Sequence, residues 1–115
     1  MQREQFANLV EEVLDSLPEQ FQNRIHNLAV LVEDYPPLDV ARSRNGLVLG
    51  VYLGVPATQK SVFDMSQGPD RIVLYQRNIE TVCSTEEEIR HEVRQTVLHE
   101  LGHYFGMDEE QLKDV

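Results

Sequence analysis

Apolar residues near the amino terminus recur at intervals of three and four positions, which is the spacing of one face of an α-helix. These residues are Phe6, Leu9, Val10, Val13, Leu14 and Leu17. They predict an amphipathic helix of about sixteen residues. Pro18 is expected to end this helix, and a short turn of helix is expected at Glu19–Phe21. A single apolar face can also bind a partner helix, but we expect this one to pack against the core.

Three stretches in the middle of the chain are rich in β-branched and other apolar residues and predict strands. They are Ile25–Val32, Leu47–Leu53 and Arg71–Arg77. The third lacks regular alternation at its centre, as expected of a strand covered on both faces. Gly50 in the second strand permits a bulge or a close contact. Residues 36–46, which begin with two prolines and end with an Asn-Gly pair, are expected to form an extended loop, and residues 57–69 a polar loop beside a cleft.

A second helical pattern runs from Glu86 to Phe105. Its apolar residues repeat every four positions, at Ile89, Val93, Val97 and Leu101. Two long helices and three strands predict one α+β domain over residues 1–115. In this fold a small sheet of three to four strands carries the amino-terminal helix and the long carboxy-terminal helix.

Both ends of the long helix have recognisable signals. Thr85 as N-cap, with Glu88 three positions later, makes a capping box, and Ser84 with Glu87 is an equally good frame. Gly106 is placed where a residue in the left-handed conformation ends a helix.

The long helix contains the pattern His99-Glu100-Leu101-Gly102-His103. Residues four apart on a helix are separated by about 40° around its axis, so both imidazoles project from one face and can bind one Zn²⁺. Glu100 lies beside the pair, where it can take a proton from a metal-bound water. We therefore interpret His99 and His103 as metal ligands and Glu100 as the catalytic base. The alternative is a pair of surface histidines on an amphipathic helix.

A catalytic zinc site usually has three protein ligands, with the fourth position left to water or substrate. Glu109 lies three residues beyond Gly106, which is the spacing of the last ligand in HExxHxxGxxH sites. We favour Glu109 on this spacing, but Asp108 is chemically as suitable. Both could instead belong to an acidic cap that opens a short last helix, Asp108 to Lys113.

The remaining polar residues are less specific. Tyr104, Tyr52 and Arg71 are candidates for stabilising an oxyanion, and the sequence does not choose among them. His26 falls in a predicted strand and is interpreted as a packed or half-exposed residue rather than a ligand, whereas His91 lies on the polar side of the long helix and is interpreted as solvated.

Composition limits the classes of partner. The net charge is −10, and no basic stripe is interleaved with aromatic residues, which disfavours nucleic-acid binding. No apolar run is long enough to span a membrane, and the first residues are not a signal peptide. Cys83 is the single cysteine, so no internal disulfide can form. We expect a cytoplasmic protein.

Beyond the long helix, much of the chain resembles the small zincin-like metallopeptidases of bacteria, which are called minimal zincins and have an HExxHxxGxxD pattern. The matching segments are Phe6–Glu19, Leu28–Asp34, Gly50–Pro56, Asp70–Tyr75 and Val97–Gly106. The family usually has aspartate where this chain has Glu109, and it tends to have arginine where this chain has Lys60. The resemblance implies a zinc cofactor and a peptide or protein substrate. In zincins an edge strand pairs with the bound peptide, and we assign this role to Arg71–Arg77.

These observations predict a zinc-dependent metallopeptidase that hydrolyses peptide bonds through a metal-bound water. His99, His103 and Glu109 would bind the metal, and Glu100 would act as base. The alternative function, favoured by the small size of the chain, is a non-catalytic metal-binding or protein-interaction module on a degenerate zincin fold.

Overall fold

A computed structural model describes residues 1–23, 25, 28–43, 46–54 and 70–106. In these ranges the chain forms five helices and three strands. In chain order they are α1 (Arg3–Asp15), α2 (Glu19–Gln22), β1 (Ala29–Glu33), α3 (Leu38–Arg42), β2 (Gly50–Leu53), β3 (Arg71–Tyr75), α4 (Gln76–Thr81) and α5 (Glu86–Tyr104). The predicted α+β class, with an amino-terminal helix and a long carboxy-terminal helix on a small sheet, is confirmed.

The three strands form one mixed sheet in the order β1-β3-β2. β1 pairs with β3 in parallel, with Leu31 opposite Val73, and β2 pairs with β3 antiparallel, with Tyr52 opposite Ile72. β3 is therefore the central strand and has a neighbour on each side. The prediction that Arg71–Arg77 is the edge strand that receives a peptide is wrong, because the backbone groups of a central strand are used within the sheet.

The core lies between the sheet and the helices α1 and α5. Alternate residues of β3 point to opposite faces, so Ile72 and Leu74 pack against these helices, while Val73 and Tyr75 pack on the other face with Val48 and Val51. The central strand is thus covered on both sides, as predicted. The apolar face of α1 is buried in the same core, which confirms its predicted packing; its buried residues are Phe6, Leu9, Val10 and Val13.

Two predicted strands begin too early. The amide of Leu28 bonds the carbonyl of Ile25 at 3.1 Å instead of a neighbouring strand, and the first strand starts only at Ala29. The second strand starts at Gly50 rather than Leu47, whose side chain is exposed.

Two helices form where the sequence pattern predicts none. Within the expected loop of residues 36–46, α3 begins after Pro37, which has the extended conformation of an N-cap. Asp39 in the first turn and Arg42 in the last turn suit the helix dipole. The third strand ends at Tyr75, and α4 follows immediately.

Buried amide side chains hold α4 in place. The Gln76 side chain is fully buried, accepts from Nε of Arg3 at 2.8 Å and donates to the carbonyl of Met1 at 2.9 Å. Asn78 donates to the carbonyl of Val48 at 2.8 Å. These bonds satisfy polar groups whose burial would otherwise be costly, and they join α4 to the amino terminus and to the segment before β2.

Helix α5 runs very close to β2 at Gly50. A Cβ atom on Gly50 would lie 2.7 Å from Cγ2 of Thr96, 3.1 Å from the carbonyl oxygen of Val73 and 3.2 Å from Cδ2 of Leu74. The close contact predicted for this glycine is confirmed. It fixes the distance between the strand and the helix that carries the two histidines.

We expect Gly50→Ala to lower the free energy of unfolding by about 1–3 kcal/mol, the usual cost of overpacking. Thr96→Ser removes the nearest methyl group, so the double variant should regain part of the lost free energy of unfolding. The gain should be incomplete, because the carbonyl oxygen of Val73 stays in contact with the new Cβ atom. Urea denaturation of the two single variants and the double variant measures this coupling. Strictly additive losses would contradict the contact.

Candidate metal centre

Local signals define both ends of the helix that carries the site. The hydroxyl of Thr85 accepts from the backbone N–H of Glu88 at 3.1 Å, so Thr85 is the N-cap and the alternative frame at Ser84 is wrong. The Glu88 carboxylate accepts from the N–H of Ser84 at 3.3 Å and closes the cap from the other side. Gly106 has φ +79°, the left-handed conformation predicted for the residue after the helix.

The last turns of α5 bring His99, Glu100 and His103 together. The two imidazole rings have centroids 5.0 Å apart, and one ligand atom from each of the three residues lies within 4.8 Å of the other two. Both histidines are partly buried, and Nε2 of His103 is enclosed. The two imidazoles, one helical turn apart, fit a divalent cation that accepts nitrogen ligands, and the Glu100 carboxylate lies beside them. The donor set therefore fits zinc.

Glu100 faces the sheet rather than solvent. Its side chain is 2% exposed, and Oε1 accepts from the backbone N–H of Tyr52 in β2 at 2.8 Å. A buried carboxylate needs such donors, because burying a polar group without hydrogen bonds is unfavourable. The helix is thus buried on the side of Glu100 and Gly102 as well as on the apolar stripe through Val97 and Leu101.

Tyr52 joins this site to the start of β3. Its ring packs edge-on against Tyr104, with centroids 5.6 Å apart, and its buried hydroxyl lies beside the carboxylate of Asp70. Gly54 leaves room for this pair: its φ is +150°, and a Cβ atom there would overlap Asp70 and lie 3.0 Å from the Tyr52 hydroxyl. Burial raises the pKa of Tyr52, and the charges of Asp70 and Tyr104 raise it further.

A raised tyrosine pKa makes stability depend on alkaline pH. Above about pH 10 the unfolded chain loses the Tyr52 proton while the folded chain keeps it, so folding becomes less favourable as pH rises. We expect Tyr52→Phe to reduce this alkaline loss of stability relative to the wild type. Thermal unfolding of both proteins between pH 8 and 11 measures the difference. Identical slopes for the wild type and Tyr52→Phe would contradict the assignment.

The predicted site residues have different outcomes. His99, Glu100 and His103 lie together, whereas Glu109, Asp108 and the predicted short last helix lie outside the described residues, so the third ligand stays a prediction. His26, Lys60 and the polar loop of residues 57–69 also lie outside them.

The three candidates for an oxyanion group are now placed in the fold. Tyr52 and Tyr104 are in contact with each other, and Arg71 begins the central strand. Sequence reasoning missed Asp70, which is 5% exposed. Its partner Tyr52 is distant along the chain, so no local pattern indicates the pair.

A helix that presents two histidines and a buried glutamate beside the edge of a small mixed sheet is the arrangement expected of a zincin-type metal site. The chain matches the zincin-like metallopeptidase family over residues 25–115 and belongs to that family. The family implies a metal, and His99, Glu100 and His103 are a group able to hold one.

A solved structure supports the same fold. A conserved hypothetical protein from Thermus thermophilus is similar to this chain, with a TM-score of 0.60 and 28% sequence identity over 91% of this chain and 94% of that one. No curated protein matches the chain. Within the described ranges, no helix is both long and apolar enough to cross a membrane.

Proposed function

We propose that this protein is a zinc-dependent peptidase. The observation that carries the proposal is the cluster of His99, Glu100 and His103, with ligand atoms within 4.8 Å of one another and the glutamate fixed by a backbone donor. The family match supports the reaction class, because the family is that of zincin-like metallopeptidases.

His99 and His103 would hold the zinc, with Glu109 as the third ligand and Asp108 as the alternative. Bound zinc supplies Lewis-acid chemistry, polarising the peptide carbonyl and making water more acidic. The imidazoles are suitable because they stand one helical turn apart on α5, whose opposite side is anchored in the core by Val97 and Leu101.

Glu100 is proposed to be the group that moves protons. A carboxylate oxygen of Glu100 would take a proton from the attacking water and later give it to the nitrogen of the leaving amine. Oε1 is held by the Tyr52 N–H, which restricts the rotation of the side chain and fixes the direction of its carboxylate.

The peptide is proposed to bind along β2. Among the described strands, β1 and β2 lie at the sheet edges, and β2 is the one in contact with the metal-bearing helix through Gly50 and Tyr52. An extended peptide can add to such an edge through backbone hydrogen bonds other than the one from the Tyr52 N–H, which Glu100 accepts. In a zinc-loaded Glu100→Gln protein, a peptide should shift the amide NMR signals of β2, and shifts confined to β1 would contradict this placement.

Digestion of a broad peptide library tests the proposed activity. We expect the zinc-loaded protein to cleave a subset of peptides, a chelator to stop cleavage and added zinc to restore it. Stoichiometric zinc with no cleavage of any peptide would favour the alternative of a non-catalytic metal-binding or protein-interaction module.

A further inference from the structure

The register of β2 against β3 determines which of its amides face outward. The amide of Tyr75 bonds the carbonyl of Leu49 at 2.9 Å, so these two residues form a hydrogen-bonded pair. Such pairs alternate along an antiparallel ladder. Val51 and Leu53 therefore direct their N–H groups toward β3, and Tyr52 directs its N–H toward the outer edge of the sheet.

The outward N–H of Tyr52 donates a hydrogen bond to Glu100. The N···O distance is 2.8 Å, and the carboxylate is almost fully buried. A glutamate side chain has three rotatable bonds, and fixing them costs free energy that this hydrogen bond offsets. The bond also connects a residue of β2 with a residue of α5, so it fixes the position of the Glu100 carboxylate relative to the sheet edge.

The donor itself is held from several sides. The Tyr52 ring packs against Tyr104, and its hydroxyl lies beside Asp70 in space left by Gly54. Two positions earlier, Gly50 lets α5 approach within contact distance. The Tyr52 N–H is therefore fixed before any substrate arrives, which is the condition for precise placement of a catalytic group.

We propose that Tyr52 is a positioning residue whose backbone N–H orients the Glu100 carboxylate for proton transfer. The inference rests on the proposed peptidase function and concerns a backbone donor that no side-chain motif indicates. The outer edge of β2 would then position Glu100 for catalysis as well as bind the peptide.

An ester bond tests this role, because it removes one N–H and leaves the side chain intact. The hydroxy-acid analogue of tyrosine, incorporated at position 52 by nonsense suppression, should lower kcat by about 10- to 100-fold on the library peptide that is cleaved fastest, with KM and zinc affinity nearly unchanged. The matched control is an ester at Leu28, which removes the N–H that bonds the carbonyl of Ile25 just before β1, across β3 from β2; it should lower stability and leave kcat unchanged. An unchanged or raised kcat for the Tyr52 ester would overturn the proposal, and a raised kcat would mean that substrate competes with Glu100 for this N–H.

Amide hydrogen exchange tests the hydrogen bond without any activity. Glu100→Gln keeps an acceptor oxygen and should keep the Tyr52 amide protected, whereas Glu100→Met, of similar length, should speed its exchange at least tenfold. The amides of Val51 and Leu53, which face β3, should exchange equally in both variants. Equal protection of Tyr52 in both variants would overturn the proposal, even for a protein that cleaves no peptide. A different result separates the two proposals. If the Tyr52 amide loses protection only in Glu100→Met and the wild type cleaves no peptide, the hydrogen bond between Tyr52 and Glu100 is present and the peptidase function is rejected instead.

Discussion

Glu100→Gln is expected to abolish most peptide hydrolysis while the protein keeps its zinc. General acid–base catalysis contributes about 10²- to 10⁴-fold, and an amide cannot take the proton from water. The change is nearly isosteric, and the amide oxygen can still accept from the Tyr52 N–H, so the fold should persist. The measurement is kcat/KM on cleaved library peptides, with zinc content determined on the same samples.

Glu87→Gln is the matched control for this variant. Glu87 lies in the first turn of the same helix and is exposed. Its substitution therefore removes the same negative charge, but far from the cluster. We expect nearly wild-type activity. Full activity of Glu100→Gln with zinc retained would reject the role of Glu100.

His99→Ala and His103→Ala are each expected to lower zinc affinity by more than about 100-fold. Loss of a group that hydrogen-bonds a metal ligand already lowers metal affinity about 10- to 100-fold. These substitutions remove a ligand itself, so the effect should be larger. Zinc at 100 times its Kd stabilises a protein that binds it only when folded by about 2.7 kcal/mol. Zinc should therefore raise the melting temperature of the wild type but not of either variant.

His91→Ala is the control for the two histidine variants. His91 lies on the exposed side of α5 and is not part of the cluster. Its removal should leave both the zinc affinity and the zinc-dependent rise in melting temperature unchanged. A similar loss of affinity for His91→Ala would show that zinc binds elsewhere on the helix.

The metal cluster can be predicted from sequence because its geometry is local. Residues four apart on a helix share a face whatever surrounds it, and the capping signals at Thr85 and Gly106 give the helix ends correctly. The burial of Glu100 against the sheet is not predictable in this way, because its donor Tyr52 is 48 positions away in sequence. Only the tertiary structure places them together.

The missed helices have a related cause. α4 buries Gln76 and Asn78 through side-chain hydrogen bonds to distant residues, so its core-facing side does not look apolar in the sequence. α3 follows two prolines, which are typical of loops but can also precede a helix. Sheet order also depends on long-range pairing. The sequence pattern correctly indicates a strand covered on both faces at Arg71–Tyr75, and that observation itself argues against an edge position.

A crystal structure of the protein soaked in zinc at neutral pH tests whether His99 and His103 bind the metal. We predict one anomalous peak at the zinc absorption edge, about 2.0–2.1 Å from a nitrogen of His99 and of His103, with a carboxylate completing the set. The same map would decide between Glu109 and Asp108. A fully folded protein with no peak between the two imidazoles, or with zinc bound only elsewhere, would show that this pair of histidines is not the metal site.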